Sequence, residues 1–171
     1  MGKSAILKKI HNAAKNYRQY LAGKTFLYVY EGKCIEVVFK NSSFLHLTGV
    51  NTKLKAKEFY KHAKTKNGLK VQEFFFDKNH PYDLAEKKTE LILLCGANKD
   101  KHGKLIDNCL VPYSFRIEDI SSDKFGELYE VDFIFCKQTN DSTYSTLSYK
   151  GNKEIEEIPE EIRAKISESI K

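Results

Sequence analysis

The stretch "YEVDFIFCK", residues 129–137, constrains the fold of this chain more than any other part of its sequence. Every second side chain in it is apolar: Tyr129, Val131, Phe133 and Phe135. Because successive side chains of a strand point to opposite sides, these four would share one face, and other elements must cover that face. Ile134 and Cys136, on the opposite side, predict that part of the second face is covered too. The stretch therefore predicts one strand of a packed sheet.

Other strand-like runs supply neighbours for this strand. After residue 90 they are "ELILLCG", "CLVPYSFRIE" and "TYSTLSYK", and the connections between them carry turn residues. Four successive strands with short links predict an antiparallel meander. Earlier in the chain, "TFLYVY" and "CIEVVFK" flank Glu31-Gly32-Lys33 and predict a hairpin.

Helical patterns occupy much of the amino-terminal half. Apolar residues recur at helical spacing before Gly23, which is suited to end a helix: Ile6, Ile10, Ala13, Ala14, Tyr17 and Leu21. A second helix is predicted in the segment that contains Ala56, Phe59, Tyr60 and Ala63. "NHPYDLAEKK", residues 79–88, is typical of a third helix start, with Pro81 at its first helical position.

We therefore expect an α+β fold in a single domain, with amino-terminal helices packed on an antiparallel sheet. A chain of 171 residues is long enough to bury a core of this kind. The expected divisions are an amino-terminal helix over 1–24, a main domain over 25–150 and an acidic, C-terminal helical tail over 151–171.

The positive charge of the chain is concentrated in one segment, Asn51 to Lys70. It holds seven lysines against one acid, Glu58, so its balance of +6 equals the formal net charge of the whole chain. On a helix, Lys53, Lys57, Lys61 and Lys64 would fall on one face beside the apolar stripe. Such a face is compatible with a polyanionic partner. Net charge bears on association and solubility rather than on the fold.

His46 differs from the other four histidines because of its neighbours. Leu45 and Leu47 flank it, Thr48-Gly49 follow, and Ser42-Ser43 are placed to cap a short turn that carries it. Two interpretations stay open from these residues alone. The histidine is either a core residue satisfied by hydrogen bonds, or a functional group held beside the lysine-rich segment.

Several classes of protein do not fit the sequence. No apolar run approaches the ~18 residues of a membrane span, and the first residues show an amphipathic helix rather than a signal peptide's apolar segment. The cysteines are far apart, without a C-x-x-C pair: Cys34, Cys95, Cys109 and Cys136. We expect reduced, buried thiols in a cytoplasmic protein, no bound metal and no cofactor.

Four segments in one order resemble a known family. They are "FLHLTGVNTKLKAKEFY", "KNHPYDLAEKK", "VPYSFRIED" and "YEVDFIFCK". Together they resemble the fourth branch of the phage-associated Barnase-EndoU-colicin E5/D-RelE-like (BECR) nucleases, over residues from about 25 to 150. The resemblance implies a BECR/RelE-like fold and a metal-independent endoribonuclease of toxin type, from a phage or another mobile element. RNA is then the expected partner, with transfer RNA among the candidates, together with an antidote or host protein.

The resemblance also assigns roles to residues. It implies His46 as general acid or base, with Thr48 and Arg116 in the catalytic site and Lys55 as a further stabilising cation. The residues expected to bind substrate are Lys53, Lys57, Lys61, Ser148, Tyr149 and Lys150. The residue types fit metal-free RNA cleavage, in which the 2′-hydroxyl attacks the adjacent phosphorus. Histidine moves the proton, and cations stabilise the charge that develops on the phosphoryl oxygens.

Two alternatives remain at this point. The protein is an enzyme, or it is a non-catalytic phage-encoded binding protein on the same scaffold that holds nucleic acid or inhibits a host defence enzyme. The five glutamates between Glu154 and Glu161 are likewise either a solvated segment or a segment that folds over the lysines and imitates phosphate charge.

Overall fold

The computed structural model describes residues 2–74, 91–117 and 129–170, with the backbone alone for residues 91, 92 and 115–117. The predicted helix in "NHPYDLAEKK" lies outside these residues. The chain forms two compact units. The first unit comprises Met1–Ala22, Lys40–Leu94 and Pro112–Asp119, and the second comprises Gly23–Phe39, Cys95–Val111 and Ile120–Lys171.

The first unit contains three α-helices and a short 3-10 turn in its described part. Their bounds are α1, Lys3–Tyr20; α2, Ser43–Thr48; α3, Ala56–Ala63; and the 3-10 turn, Val71–Glu73. The predicted stripe of α1 is largely correct, since Ile6, Ile10, Ala14 and Tyr17 are buried. Ala13, predicted on the same stripe, is exposed because it lies about 100° around the helix from Ala14.

In the described residues, six strands form one sheet in the order β3-β4-β2-β1-β5-β6. Their bounds are β1, Lys24–Tyr30; β2, Lys33–Val38; β3, Leu91–Lys99; β4, Leu105–Ile117; β5, Phe133–Gln138; and β6, Thr146–Lys150. The pairs β1–β2, β1–β5 and β5–β6 are antiparallel, whereas β2 and β4 are parallel. The α+β class is confirmed, and so is the hairpin at Glu31-Gly32.

The predicted meander is wrong. A meander would place β5 beside β4, but β5 pairs with β1, and Leu27 lies opposite Phe135. A meander needs short links, and the long connection between Ile117 and Phe133 lets the chain reach a non-consecutive strand.

One face of the sheet carries the core of the second unit. Leu27, Val29, Phe133 and Phe135 are buried there, and Tyr144, Ile158, Ile162 and Ile166 pack in the same cluster. The alternation predicted for residues 129–137 holds only within β5. Tyr129 is 38% exposed and Val131 is half-buried, because both precede the strand.

The C-terminal residues have less helix than expected. They form a 3-10 turn over Ile155–Glu157 and one α-helical turn, α4, over Glu160–Arg163. Their isoleucines nonetheless belong to the core cluster of the second unit. No helix in the described part of the chain is both long and apolar enough to cross a membrane.

Candidate functional site

His46 lies on α2, a helix of six residues whose inner side is well anchored. Ser43 and Phe44 are buried, Leu45 and Leu47 are half-buried, and His46 is exposed. The imidazole is therefore not the buried core histidine that the apolar neighbours allowed. Within the described residues its ring forms no hydrogen bond.

Aromatic packing fixes the position of α2. The ring of Phe44 lies 5.2 Å from that of Tyr17 on α1, and 5.8 Å and 5.3 Å from the rings of Phe59 and Tyr60 on α3. The Tyr17 hydroxyl donates to the Lys40 carbonyl oxygen at 2.6 Å. Burial raises the pKa of Tyr17 well above its usual range, so that the hydroxyl keeps its proton and remains a donor. These contacts hold the backbone that carries His46 against the two longer helices.

Thr48 and Gly49 end α2. The Thr48 hydroxyl donates to the Leu45 carbonyl oxygen at 2.7 Å, so it would have to rotate away from Leu45 to donate to a phosphate. Gly49 adopts φ +63°, and a Cβ at this position would meet no atom within 4 Å. Glycine is favoured here because a positive φ strains other residues, and not because a side chain would lack space. The open space beside Gly49 leaves its backbone accessible.

The lysines predicted on one helical face are only partly helical. Lys57 and Lys61 lie one turn apart on α3 and are both exposed. Lys55 is the residue that caps the start of α3, and its backbone N–H donates to the Glu58 carboxylate at 3.3 Å. The side chain of Glu58 thus satisfies a backbone donor that the start of a helix would otherwise leave unpaired.

Lys53 does not belong to the helix. Its backbone N–H donates to the Glu73 carbonyl oxygen at 2.8 Å, and the Thr52 hydroxyl donates to the same oxygen at 2.7 Å. The predicted helical alignment of Lys53 with Lys57 and Lys61 is wrong, because Lys53 directly follows Thr52, which forms an isolated antiparallel bridge with Phe74.

Two other histidines of the first unit lie against neighbours, but only His11 forms a hydrogen bond, because the buried His62 Nδ1 atom has no hydrogen-bond partner in the described residues. The His11 Nδ1 atom lies 2.6 Å from the Ala63 carbonyl oxygen, and because a carbonyl oxygen only accepts, this nitrogen donates. The His62 Nδ1 atom lies 3.7 Å from a Glu73 carboxylate oxygen. Both rings face elements of their own unit, whereas His46 faces solvent.

The remaining predicted site residues lie elsewhere. Arg116 lies on β4, and its backbone belongs to the first unit. Ser148, Tyr149 and Lys150 lie on β6 in the second unit. Their convergence with His46 stays a prediction.

A family model described as phage-Barnase-EndoU-ColicinE5/D-RelE like nuclease4 matches residues 9–94. This segment is half of the chain, and it contains most of α1, the hairpin, His46 and the lysines of α3. The chain belongs to this nuclease family. No curated protein and no solved structure matches the chain.

Family membership confirms the predicted resemblance and gives the substrate class, since a nuclease acts on nucleic acid. The match ends at residue 94, so it includes His46, Thr48 and the predicted lysines but neither Arg116 nor the residues of β6. The first unit therefore holds the part of the predicted site that lies within the family match.

Residues of β6 show features that the sequence alone did not predict. The Lys150 ammonium is 2.5 Å from a Glu154 carboxylate oxygen, so an acid four residues later balances its charge. Ile134 lies opposite Tyr149 and Phe135 opposite Leu147, which leaves Ser148 as the extra residue of a β-bulge. Tyr149 is 46% exposed.

The described residues contain no group of three or more His, Cys, Asp or Glu side chains arranged to hold a metal ion. One thiol does lie beside a carboxylate: the Cys109 sulfur is 3.8 Å from a Glu36 carboxylate oxygen. Burial, together with Asp107 and Glu36, raises the pKa of the Cys109 thiol to about 11. Near neutral pH this sulfur is therefore protonated and a poor metal ligand or nucleophile.

Proposed function

We propose that this protein is an endoribonuclease that cleaves RNA without a metal ion, with His46 as its general acid or base. The observation that carries the proposal is the exposed imidazole of His46 on α2. The helix α2 itself packs, through Phe44, against the lysine-bearing helix α3. A histidine that moves protons must reach its substrate, and the buried Phe44 holds its backbone while leaving the ring accessible.

The reaction uses the substrate's own nucleophile. The 2′-hydroxyl loses its proton and its oxygen attacks the adjacent phosphorus, while the bond from phosphorus to the 5′-oxygen breaks. The products are a 2′,3′-cyclic phosphate and a 5′-hydroxyl. His46 either takes the proton from the 2′-hydroxyl or gives one to the departing 5′-oxygen, and both roles suit an imidazole near neutral pH.

Cations stabilise the phosphoryl oxygens during this step. Lys55 lies at the amino end of α3, where backbone N–H groups also favour an anion. We assign Arg116 a bidentate contact with the phosphoryl group, because a guanidinium is permanently charged and offers paired donors. Thr48 orients the same group once its hydroxyl leaves the Leu45 carbonyl.

The exposed lysines draw the substrate to the site. Lys53, Lys57 and Lys61 are exposed, and their segment carries a balance of +6. Counterion release from phosphates then supplies binding free energy without regard to sequence. We place the activity in a bacterial host cell, as a toxin of phage origin with transfer RNA as the first candidate substrate.

The decisive experiment separates this chemistry from other nuclease mechanisms. Purified protein is incubated with transfer RNA and with total RNA in excess chelator, and the new ends are mapped. We expect cyclic phosphate and 5′-hydroxyl ends. An RNA with a single 2′-deoxynucleotide at the mapped position should resist cleavage there and nowhere else.

Cleavage of the deoxy-substituted position, or cleavage that stops in chelator, would contradict the mechanism. If the wild-type protein cuts no RNA and no DNA but binds nucleic acid or a host enzyme, the non-catalytic binding protein is the correct interpretation.

A further inference from the structure

Four side chains form a continuous row across the second unit. In the strand register Tyr28 lies opposite both Ile35 and Ile134, and Ile134 lies opposite Tyr149. Because residues opposite one another in a ladder point to the same side, these four lie on one face of β2, β1, β5 and β6. We call this set, Ile35, Tyr28, Ile134 and Tyr149, the tyrosine row. It lies on the face opposite to the core of Leu27 and Phe135.

The tyrosine row is only partly covered. The neighbouring row on the same face is buried, with Val37 at 2%, Phe26 at 9% and Cys136 at 7% exposure. In the tyrosine row, by contrast, Ile35 is 38% and Tyr149 46% exposed at the two ends. The two ends of the row thus present apolar and aromatic surface to solvent, whereas Tyr28 and Ile134 between them are half-buried.

A second aromatic pair extends the surface toward the hairpin turn. Tyr30 lies two residues beyond Tyr28 on the same face, and its ring is 5.1 Å from that of Tyr129. The Lys33 ammonium is 5.5 Å from the centre of the Tyr129 ring. The surface thus combines three strand tyrosines with an aromatic partner and a lysine.

The charge of this face suits an anionic ligand. On β1, β2, β5 and β6, the face of Tyr28 carries Lys24 and Lys33 and no acid. The acid of β2, Glu36, points to the opposite face beside Leu27. Two acids of the described residues, Glu31 and Asp132, lie at the hairpin. There Asp132 accepts from the Glu31 N–H at 3.0 Å and from the Lys153 ammonium at 2.9 Å, so its charge is compensated locally.

We propose that the tyrosine row is a stacking surface for unpaired bases of a single-stranded RNA substrate. Every base has a flat face that stacks on tyrosine, and lysines at the edge of the surface neutralise the accompanying phosphates. The two lysines and the absence of acids among the described strand residues of this face favour a base of a polyanion over a purely apolar protein segment. This inference rests on the proposed function, since it assumes that the nucleic acid which reaches the nuclease has unpaired bases.

The bulge at Ser148 supports a functional reason for the position of Tyr149. An extra residue in a strand rotates the side chains that follow it, and Ser148 stands immediately before Tyr149. Without the bulge, Tyr149 would face the same side as Phe135 and Leu147. The inserted residue therefore places this tyrosine in the row instead of on the core side.

Binding is tested with an RNA that cannot be cut. The probe is a fluorescent, fully 2′-O-methylated single strand of about eight nucleotides, and a second probe of the same length has abasic sites in its central positions. The variants are Tyr149→Ala and Tyr149→Phe. The matched control is Tyr20→Ala, since Tyr20 is 57% exposed on α1.

We expect Tyr149→Ala to weaken binding of the base-containing probe by about 5- to 150-fold, the usual range for one stacked base. Tyr149→Phe and Tyr20→Ala should bind within about twofold of wild type. The abasic probe should bind wild type and Tyr149→Ala equally, because it keeps the phosphates but lacks the bases. Thermal melting of each variant checks the fold.

Unchanged affinity of Tyr149→Ala for the base-containing probe would overturn the proposal, as would an equal loss for both probes. If Tyr149→Ala instead converts a dimer to a monomer in sedimentation without changing RNA affinity, the row is a protein interface and the proposal is wrong. Because the probes are uncleavable, failure of RNA cleavage by wild-type protein leaves this result unaffected.

Discussion

The ring of Phe44 on α2 lies 5.3 Å from the ring of Tyr60 on α3. This contact joins the helix that carries His46 to the helix that carries Lys57 and Lys61. Phe44 is 3% exposed and Tyr60 also 3%, so the contact lies inside the first unit. The distance between the proposed proton-transfer group and the proposed RNA-binding cations is thus set by apolar packing.

Loss of this packing should destabilise the first unit. We expect Phe44→Ala to lower the free energy of unfolding by about 3–5 kcal/mol, as for other buried phenylalanines, measured by urea titration. Phe44→Leu retains most of the volume and should cost much less. A Phe44→Ala protein with wild-type stability would show that α2 is not held by this ring.

The position of His46 also shows why local sequence left two interpretations open. Leu45 and Leu47 made a buried histidine plausible, but in a helix each residue advances about 100°, so His46 points away from Phe44 by about 200°. The burial of Phe44 therefore turns His46 outward. Which of the apolar residues would be buried depends on Tyr17 and Tyr60, which are distant in sequence.

Salt dependence tests the role of the lysines. If Lys53, Lys57 and Lys61 each contact a phosphate of single-stranded RNA, their joint replacement by Gln should reduce the slope of log K against log salt by about 2, at ~0.7 per contact. Fluorescence anisotropy at several salt concentrations measures the slope. Because Lys53 is outside α3, its single replacement should act independently of Lys57 and Lys61.

A matched control removes the same charge elsewhere. Lys8, Lys9 and Lys15 are exposed on α1, and their joint replacement by Gln changes the net charge equally. This control should leave the salt slope nearly unchanged. Equal effects of the two triple variants would mean that net charge alone, rather than the segment beside His46, governs binding.

The sheet illustrates what periodicity can and cannot predict. Alternation correctly placed Phe133 and Phe135 on a buried face, because burial of one face is a local property of a strand. It failed for Val131, since the Asp132 N–H donates to the Val29 carbonyl oxygen and the Asp132 carboxylate binds the hairpin turn. The pairing of β5 with β1 likewise joins residues far apart in sequence, which no local pattern encodes.

Phe133 gives a direct test of the second unit's core. It is 1% exposed and its ring stacks 5.8 Å from that of Phe135. Phe133→Ala should cost about 3–5 kcal/mol of unfolding free energy. Val131→Ala, at a half-buried position outside the strand, should cost clearly less. Similar losses for the two variants would contradict the described end of β5.

An ion pair should make stability depend on pH. Burial alone would raise the pKa of Glu36, but the hydrogen bond and charge of Lys165, at 2.5 Å, outweigh it and lower the pKa. A carboxylate with a lowered pKa stabilises the fold above its unfolded pKa of about 4.3, and this contribution is lost as pH falls through the lower folded value.

The measurement compares wild type with Glu36→Gln by urea unfolding between pH 7 and pH 3. Wild type should be the more stable protein at pH 7, and the difference should shrink as the pH falls below about 4.3. Lys165→Met should remove most of this pH dependence. A difference that stays constant across the range would mean that Glu36 keeps the same proton affinity in the folded and unfolded chain.

His46 is the residue on which the proposed reaction depends. His46→Ala should reduce the rate of RNA cleavage by ~10²-fold or more, the usual effect of losing a general acid or base, while binding of uncleavable RNA stays within about twofold. Arg116→Ala should lower both the cleavage rate and the RNA affinity, because the proposed guanidinium contact with the phosphate exists before and during the reaction.

His102→Ala is the matched control, since His102 is an exposed histidine in the turn between β3 and β4. Its cleavage rate should equal that of wild type. A residue with a purely structural role would behave differently: His46→Ala would then lower the melting temperature, and activity would fall only in proportion to the folded fraction.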